Sequence, residues 1–194
     1  IYGYYNYRHP NIEQIDITLD KPFNGKEIRI AAISDVHLGN GTDKRALQRY
    51  VYMINAQNPD LILVCGDLID NSITPVRQQR MEEELKELKA PMGIYMAAGN
   101  HEYISKIGEV EKFLQETPIT LLRDNVVTLP CGIQIVGRDD RHNHRRKPLG
   151  ELLDRVDRNK PIVVLDHQPY NLAEVDAAGV DIQLSGHTHR GQVW

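Results

Sequence analysis

Only two cysteines, Cys65 and Cys131, two phenylalanines and one tryptophan occur among the 194 residues. Two thiols without any metal-ligand spacing build neither a disulfide framework nor a thiolate zinc site. No apolar run reaches the roughly 18 residues that a bilayer-spanning helix needs. Positive charge is not in excess: 23 Lys and Arg stand against 27 Asp and Glu, for a net charge of −4. A general field for holding a nucleic-acid backbone is therefore missing, and a dedicated nucleic-acid binder is disfavoured. With 41% hydrophobic and 26% charged residues the composition is that of a soluble globular protein, which excludes disordered and collagen-like chains. The length is that of one domain.

The chain opens at Ile1, and Tyr2, Tyr4, Tyr5 and Tyr7 place four of its nine tyrosines in the first seven residues. Tyrosine gathers at the interface beside a membrane helix, so one reading is a juxtamembrane segment whose N-terminal anchor lies outside this sequence. The other is an aromatic strand packed on the domain. Residues 1–25 are accordingly read as a leading segment and residues 26–194 as the domain.

Apolar runs alternate with helical patterns along that domain, the mark of an α/β fold. Strands are expected at 28–33, 61–64, 93–97, 120–122, 126–129, 133–136, 162–165 and 182–185. Thr42 or Asp43 can cap a helix on which Leu47, Val51 and Ile54 recur at helical spacing. Further helices are expected over 76–88, 109–115, 149–156 and 172–178.

Five of these strands end in short polar strings: Ser34-Asp35-Val36-His37, Gly66-Asp67-Leu68-Ile69-Asp70, Gly99-Asn100-His101-Glu102, Asp166-His167-Gln168-Pro169 and Gly186-His187-Thr188-His189. Strand carboxyl ends are where α/β sheets bind ligands. Five of the eight histidines lie there, and His with Asp and Asn is the donor set of a nitrogen and oxygen metal site. In extended backbone, residues i and i+2 face the same way, so Asp35 with His37, and His187 with His189, are each expected to present two donors together. Gly66, Gly99 and Gly186 are expected to let the chain turn sharply out of the sheet. Any one string taken alone also reads as a capping Asp, a turn Asn or a core histidine. Five together do not.

In order and spacing these strings resemble the calcineurin-like metallophosphoesterase superfamily, over Ile28 to Gln192. Within it they look most like bacterial membrane-tethered phosphohydrolases, with Arg190 standing where a glycine is expected. The resemblance implies a four-layer αββα sandwich of two mixed sheets, here expected to be short of its last strands. It also implies two divalent ions, manganese, zinc or iron. Asp35, His37 and His189 would hold one, Asn100, His167 and His187 the other, and Asp67 would bridge them. A hydroxide between the ions would attack a phosphate mono- or diester, in a small molecule or a lipid-linked substrate, on the extracytoplasmic side of a membrane. His101 resembles the family's catalytic histidine, the proton donor to the leaving oxygen.

Asp70 is expected to accept a proton from the far nitrogen of a ligating histidine, with a loop cap as the alternative. Asp166 and Glu102 are open to similar duties. The run from Arg138 to Lys147 reads first as a solvated loop, although Arg141, Arg145 or Arg146 could lean toward a substrate phosphate. Two other functions compete with the hydrolase: a non-catalytic metal-binding interaction module, against which the intact His101 argues, and a nuclease of the same superfamily, which the acidic charge disfavours.

Overall fold

The computed structural model describes residues 10–25 and 27–189. The tyrosine cluster and Arg190 lie outside them. Two four-stranded sheets form the centre. The first runs β1 (Ile30–Ile33), β2 (Leu61–Cys65), β3 (Ile94–Ala97) and β4 (Ile119–Leu122), every neighbouring pair parallel. The second runs β5 (Asn125–Thr128), β6 (Gln134–Gly137), β7 (Ile162–Leu165) and β8 (Ile182–Leu184). There β5 opposes β6 and the remaining pairs are parallel. Among the described residues only the second sheet is mixed, where two mixed sheets were expected. A short turn joins β5 to β6, which allows antiparallel pairing, whereas the parallel neighbours of the first sheet are joined to one another by longer connections.

Alternation along the central strands makes the layers. On β2, Leu61, Leu63 and Cys65 enter a core shared with Val163 and Leu165 of β7, while Ile62 and Val64 point the other way, into a core under the helices. On β7, Ile162 and Val164 face a third core. Strands buried on both faces read as unbroken apolar runs, which is why both were legible. The helices α1 (Lys44–Ala56), α2 (Ile73–Gln78), α3 (Glu82–Leu85), α4 (Asn100–Ile104) and α5 (Ile107–Leu114) accompany the first sheet, and α6 (Leu149–Leu153) and α7 (Leu172–Ala177) the second. The order is helices, sheet, sheet, helices. Each fully buried Leu, Ile or Val contributes about 1.5–3 kcal/mol to holding these layers.

Helix α1 starts as expected, with the Asp43 carboxylate accepting from the Ala46 N–H at 2.9 Å. The helix expected over 76–88 is instead broken into α2 and α3. Arg80 has φ +52°, and this turn carries Met81, which has no exposed surface, into the core. Spacings of five, four and three between Val76, Met81, Leu85 and Leu88 do not keep to one helical face, so the chain resets its phase. A helix not expected at all, α4, begins on Asn100 itself.

Candidate metal centre

The five polar strings meet at one edge, but not through extended backbone. Asp35, His37, Asp67, His187 and His189 have φ of 53°, 49°, 52°, 68° and 49°. Left-handed backbone at a residue other than glycine costs on the order of 1–3 kcal/mol, and such residues collect at functional sites. The expected i, i+2 pairing is thereby corrected. Asp35 and His37 still meet, together with His189, but His187 turns away to join Asp67 and His167. In each of these groups one donor atom per residue lies within 4.8 Å of the others.

Of the two groups the second is the more buried. His167 Nδ1 sits 2.7 Å from the Cys65 carbonyl, which can only accept, so that nitrogen carries the proton and Nε2 faces the site. Around Nε2 stand Asp67 Oδ2 at 3.0 Å and Asn100 Oδ1 at 3.1 Å, and the same amide oxygen lies 3.0 Å from His187 Nδ1. Burial opposes charge on His167, yet the hydrogen bond and charge of Asp67 outweigh it and hold the imidazole up to about 9. Burial would likewise push Asp67 up, but His167 and the His101 N–H, 2.9 Å from Asp67 Oδ1, carry it below the usual carboxylate range.

In the first group, His37 Nε2 and His189 Nε2 face each other at 3.3 Å. Asp35 Oδ1 lies 3.5 Å from His189 Nε2, and Asp67 Oδ2 lies 3.9 Å from His37 Nε2. Burial, above all, lowers His37, which leaves it neutral and ready to donate a lone pair. Lone pairs converge in both groups where only a proton or a cation can sit among them. These donors, without thiolate, fit divalent ions such as manganese, zinc or iron.

A family model, calcineurin-like phosphoesterase, matches residues 28–191. The chain belongs to that family. Among curated relatives, an uncharacterized metallophosphoesterase of Helicobacter pylori is 33% identical over 95% of this chain and 50% of its own length. A transmembrane protein with metallophosphoesterase domain from Danio rerio is 30% identical over 100% of this chain and 48% of its own. The chain thus spans about half the length of these relatives. Among solved structures, a 5'-nucleotidase precursor from Thermus thermophilus shares the fold at TM-score 0.54 and 19% identity, over 84% of this chain and 42% of that one.

Within this phosphoesterase domain, Asp70 stands between two histidines: its Oδ1 is 3.4 Å from His37 Nδ1 and 3.2 Å from His101 Nδ1. The Asp70 carbonyl lies 3.1 Å from the same His101 nitrogen, so Nδ1–H donates there and Nε2 faces outward. The His101 ring meets His37 edge-on at 4.4 Å. Gly99 and Gly186 do not serve as left-handed turns; of the three glycines only Gly66 does, with φ +79°. A Cβ on Gly99 would strike the Asp67 carboxylate, and one on Gly186 the Asp35 carboxylate. Backbone must pass close by the acids here.

Glu102 was legible only as one of several open possibilities. Fully buried, its carboxylate accepts from the backbone N–H groups of Asp67 and Gly99 at 2.8 Å and of Ile69 at 3.1 Å. It ties the Asp67 turn to the start of α4. Burial and then the Asp67 charge raise its pKa, against those three hydrogen bonds. Its signal in the sequence was its place three residues after Gly99, a capping-box spacing.

The basic run is not simply solvated. Asp139 and Asp140 are buried, Arg138 pairs with Asp166 at 2.9 Å, and Arg146 reaches the same Asp166 oxygen. Of the three arginines considered for substrate, Arg146 is thus engaged internally. Arg141 and Arg145 are exposed.

Proposed function

We propose that this domain hydrolyses phosphate mono- or diesters with two divalent ions, Asp67 lying between Asp35, His37 and His189 on one side and Asn100, His167 and His187 on the other. The observation that carries the reading is the convergence on one small volume of two carboxylates, an amide oxygen and four imidazoles. When bound, the ions would supply a deprotonated water near neutral pH and neutralise the phosphoryl oxygens.

The chain's own groups do the rest. The Cys65 carbonyl fixes the His167 tautomer, and Asp70 does the same for His37, so each ring offers the site its other nitrogen. His101, held through Nδ1 by Asp70, presents Nε2 to protonate the leaving oxygen. The N–H of His101 and the Glu102 brace hold Asp67 still while charge shifts around it.

Turnover of bis(p-nitrophenyl) phosphate and p-nitrophenyl phosphate with added manganese or zinc, in wild type against Asp67→Asn, tests this reading. Activity in wild type and its loss in the variant are expected. A folded protein that turns over neither ester with either metal would sink it. A relative that bears the name of a transmembrane protein supports work beside a membrane. No helix among the described residues is long and apolar enough to cross one, so cell fractionation of the full-length protein is the test of that placement.

A further inference from the structure

The loop after β6 contains two acids, Asp139 and Asp140, and seven groups able to carry positive charge, Arg141, His142, His144, Arg145, Arg146, Lys147 and Arg138, the last of them paired with Asp166. Both acids turn inward. Asp139 accepts from Tyr103 Oη at 2.7 Å, Arg123 Nε at 3.0 Å and Asn143 Nδ2 at 2.8 Å. Asp140 accepts from Gln168 Nε2 at 3.0 Å and holds His142 Nδ1 at 2.7 Å. Arg146 is taken up by Asp166, and Lys147 lies 3.3 Å from Glu151. Arg141, His142, His144 and Arg145 remain exposed. A chain of net charge −4 thus concentrates basic groups, with no exposed acid among them, on one rigidly backed loop.

The loop is also placed. The His142 ring stacks on Tyr103, 5.9 Å between centroids, and Tyr103 lies one turn along α4 from Asn100. Gln168, which grips Asp140, directly follows His167. The Arg141 guanidinium lies 4.3 Å over the Tyr170 ring, which steadies it while its N–H edge stays free to donate. The basic rim therefore rests on the two segments that supply Asn100 and His167. With His142 Nδ1 committed to Asp140, Nε2 is the atom left to meet a ligand.

We propose that Arg141, His142 and Arg145 form a subsite for a second phosphate group, so that the natural substrate carries a further anionic phosphate beyond the ester that is cut. The proposal rests on the hydrolase reading for the word substrate, but the subsite itself is measurable by binding. The second phosphate could belong to a soluble molecule or to a phospholipid headgroup, since the chemistry that reads it is the same.

The test uses metal-loaded wild type and the triple variant Arg141→Gln, His142→Gln, Arg145→Gln, all surface positions, with folding checked by melting. Calorimetry compares propane bisphosphate with propyl phosphate. Co-sedimentation compares phosphatidylcholine vesicles with and without phosphatidic acid. Wild type is expected to prefer the bisphosphate, or the acidic vesicles, about tenfold, and the variant to lose that preference. A preference for the bisphosphate assigns a soluble source, and one for acidic vesicles alone assigns the lipid. Equal binding throughout, or a preference that survives in the variant, overturns the subsite. Absent turnover of both nitrophenyl esters with the preference intact would sink the hydrolase reading and leave the subsite standing.

Discussion

His167 and Asp67 have side chains 0% and 2% exposed, whereas His37 and His189 on the other half of the centre are 20% and 31% exposed. The buried half draws its orientation from backbone: the Cys65 carbonyl sets one ring, and the His101 N–H holds the shared acid. The open half relies on Asp70, a side chain 38% exposed, and on His189 near the end of the described residues. Prebuilt geometry removes ordering cost from ion binding. The buried half should therefore hold an added ion more tightly than the open half does.

His101 stands beside both halves, so its loss should cost most: His101→Ala is expected to lower kcat by roughly 10²–10⁴-fold without changing metal content. Steady-state kinetics and elemental analysis together check this. Next comes a direct contrast between the halves in metal-free protein. His167→Ala leaves the buried Asp67 charge without its nearest imidazole partner and should destabilise by about 3–5 kcal/mol, while His189→Ala should cost under about 1 kcal/mol. Urea unfolding reads both, and equal losses would break the comparison.

The same contrast has a pH signature. Because the folded-state value of His167 is raised to about 9, its contribution is full below about 6.5 and fades as pH rises through 9. The gap between wild type and His167→Ala should accordingly narrow as pH rises through about 9, down to what the buried ring's packing and its hydrogen bond to the Cys65 carbonyl contribute. A smaller effect is expected at the brace beneath the shared acid. Glu102→Gln sets an amide N–H₂ against backbone N–H groups and should cost about 1–3 kcal/mol, read as a fall in melting temperature. The least change is expected at Cys65, where burial pushes the thiol up to about 12. Mass mapping after alkylation near neutral pH should find it unmodified in the native protein.

Much of this was legible in the sequence for a simple reason. Strands such as β2 and β7 are buried on both faces and read as apolar runs, so the polar string that ends each one stands out. The donors that gather at the sheet edges were visible for that reason. How they gather was not. Left-handed backbone at Asp35, His37, Asp67, His187 and His189 breaks local preference, and no residue-by-residue propensity reports it. The inward turn of Asp139 and Asp140 was equally hidden, because their partners Tyr103, Arg123 and Gln168 are distant in sequence. A charge run looks solvated until its partners are known.

The donors come from both sheets: Asp35, Asp67 and Asn100 follow strands of the first, and His167, His187 and His189 follow strands of the second. Any ion shared among them is consequently a rivet through the seam of the sandwich. Amide hydrogen exchange along β2 and β7 should slow when metal is added, since prising the layers apart would then require tearing the ion from one set of donors.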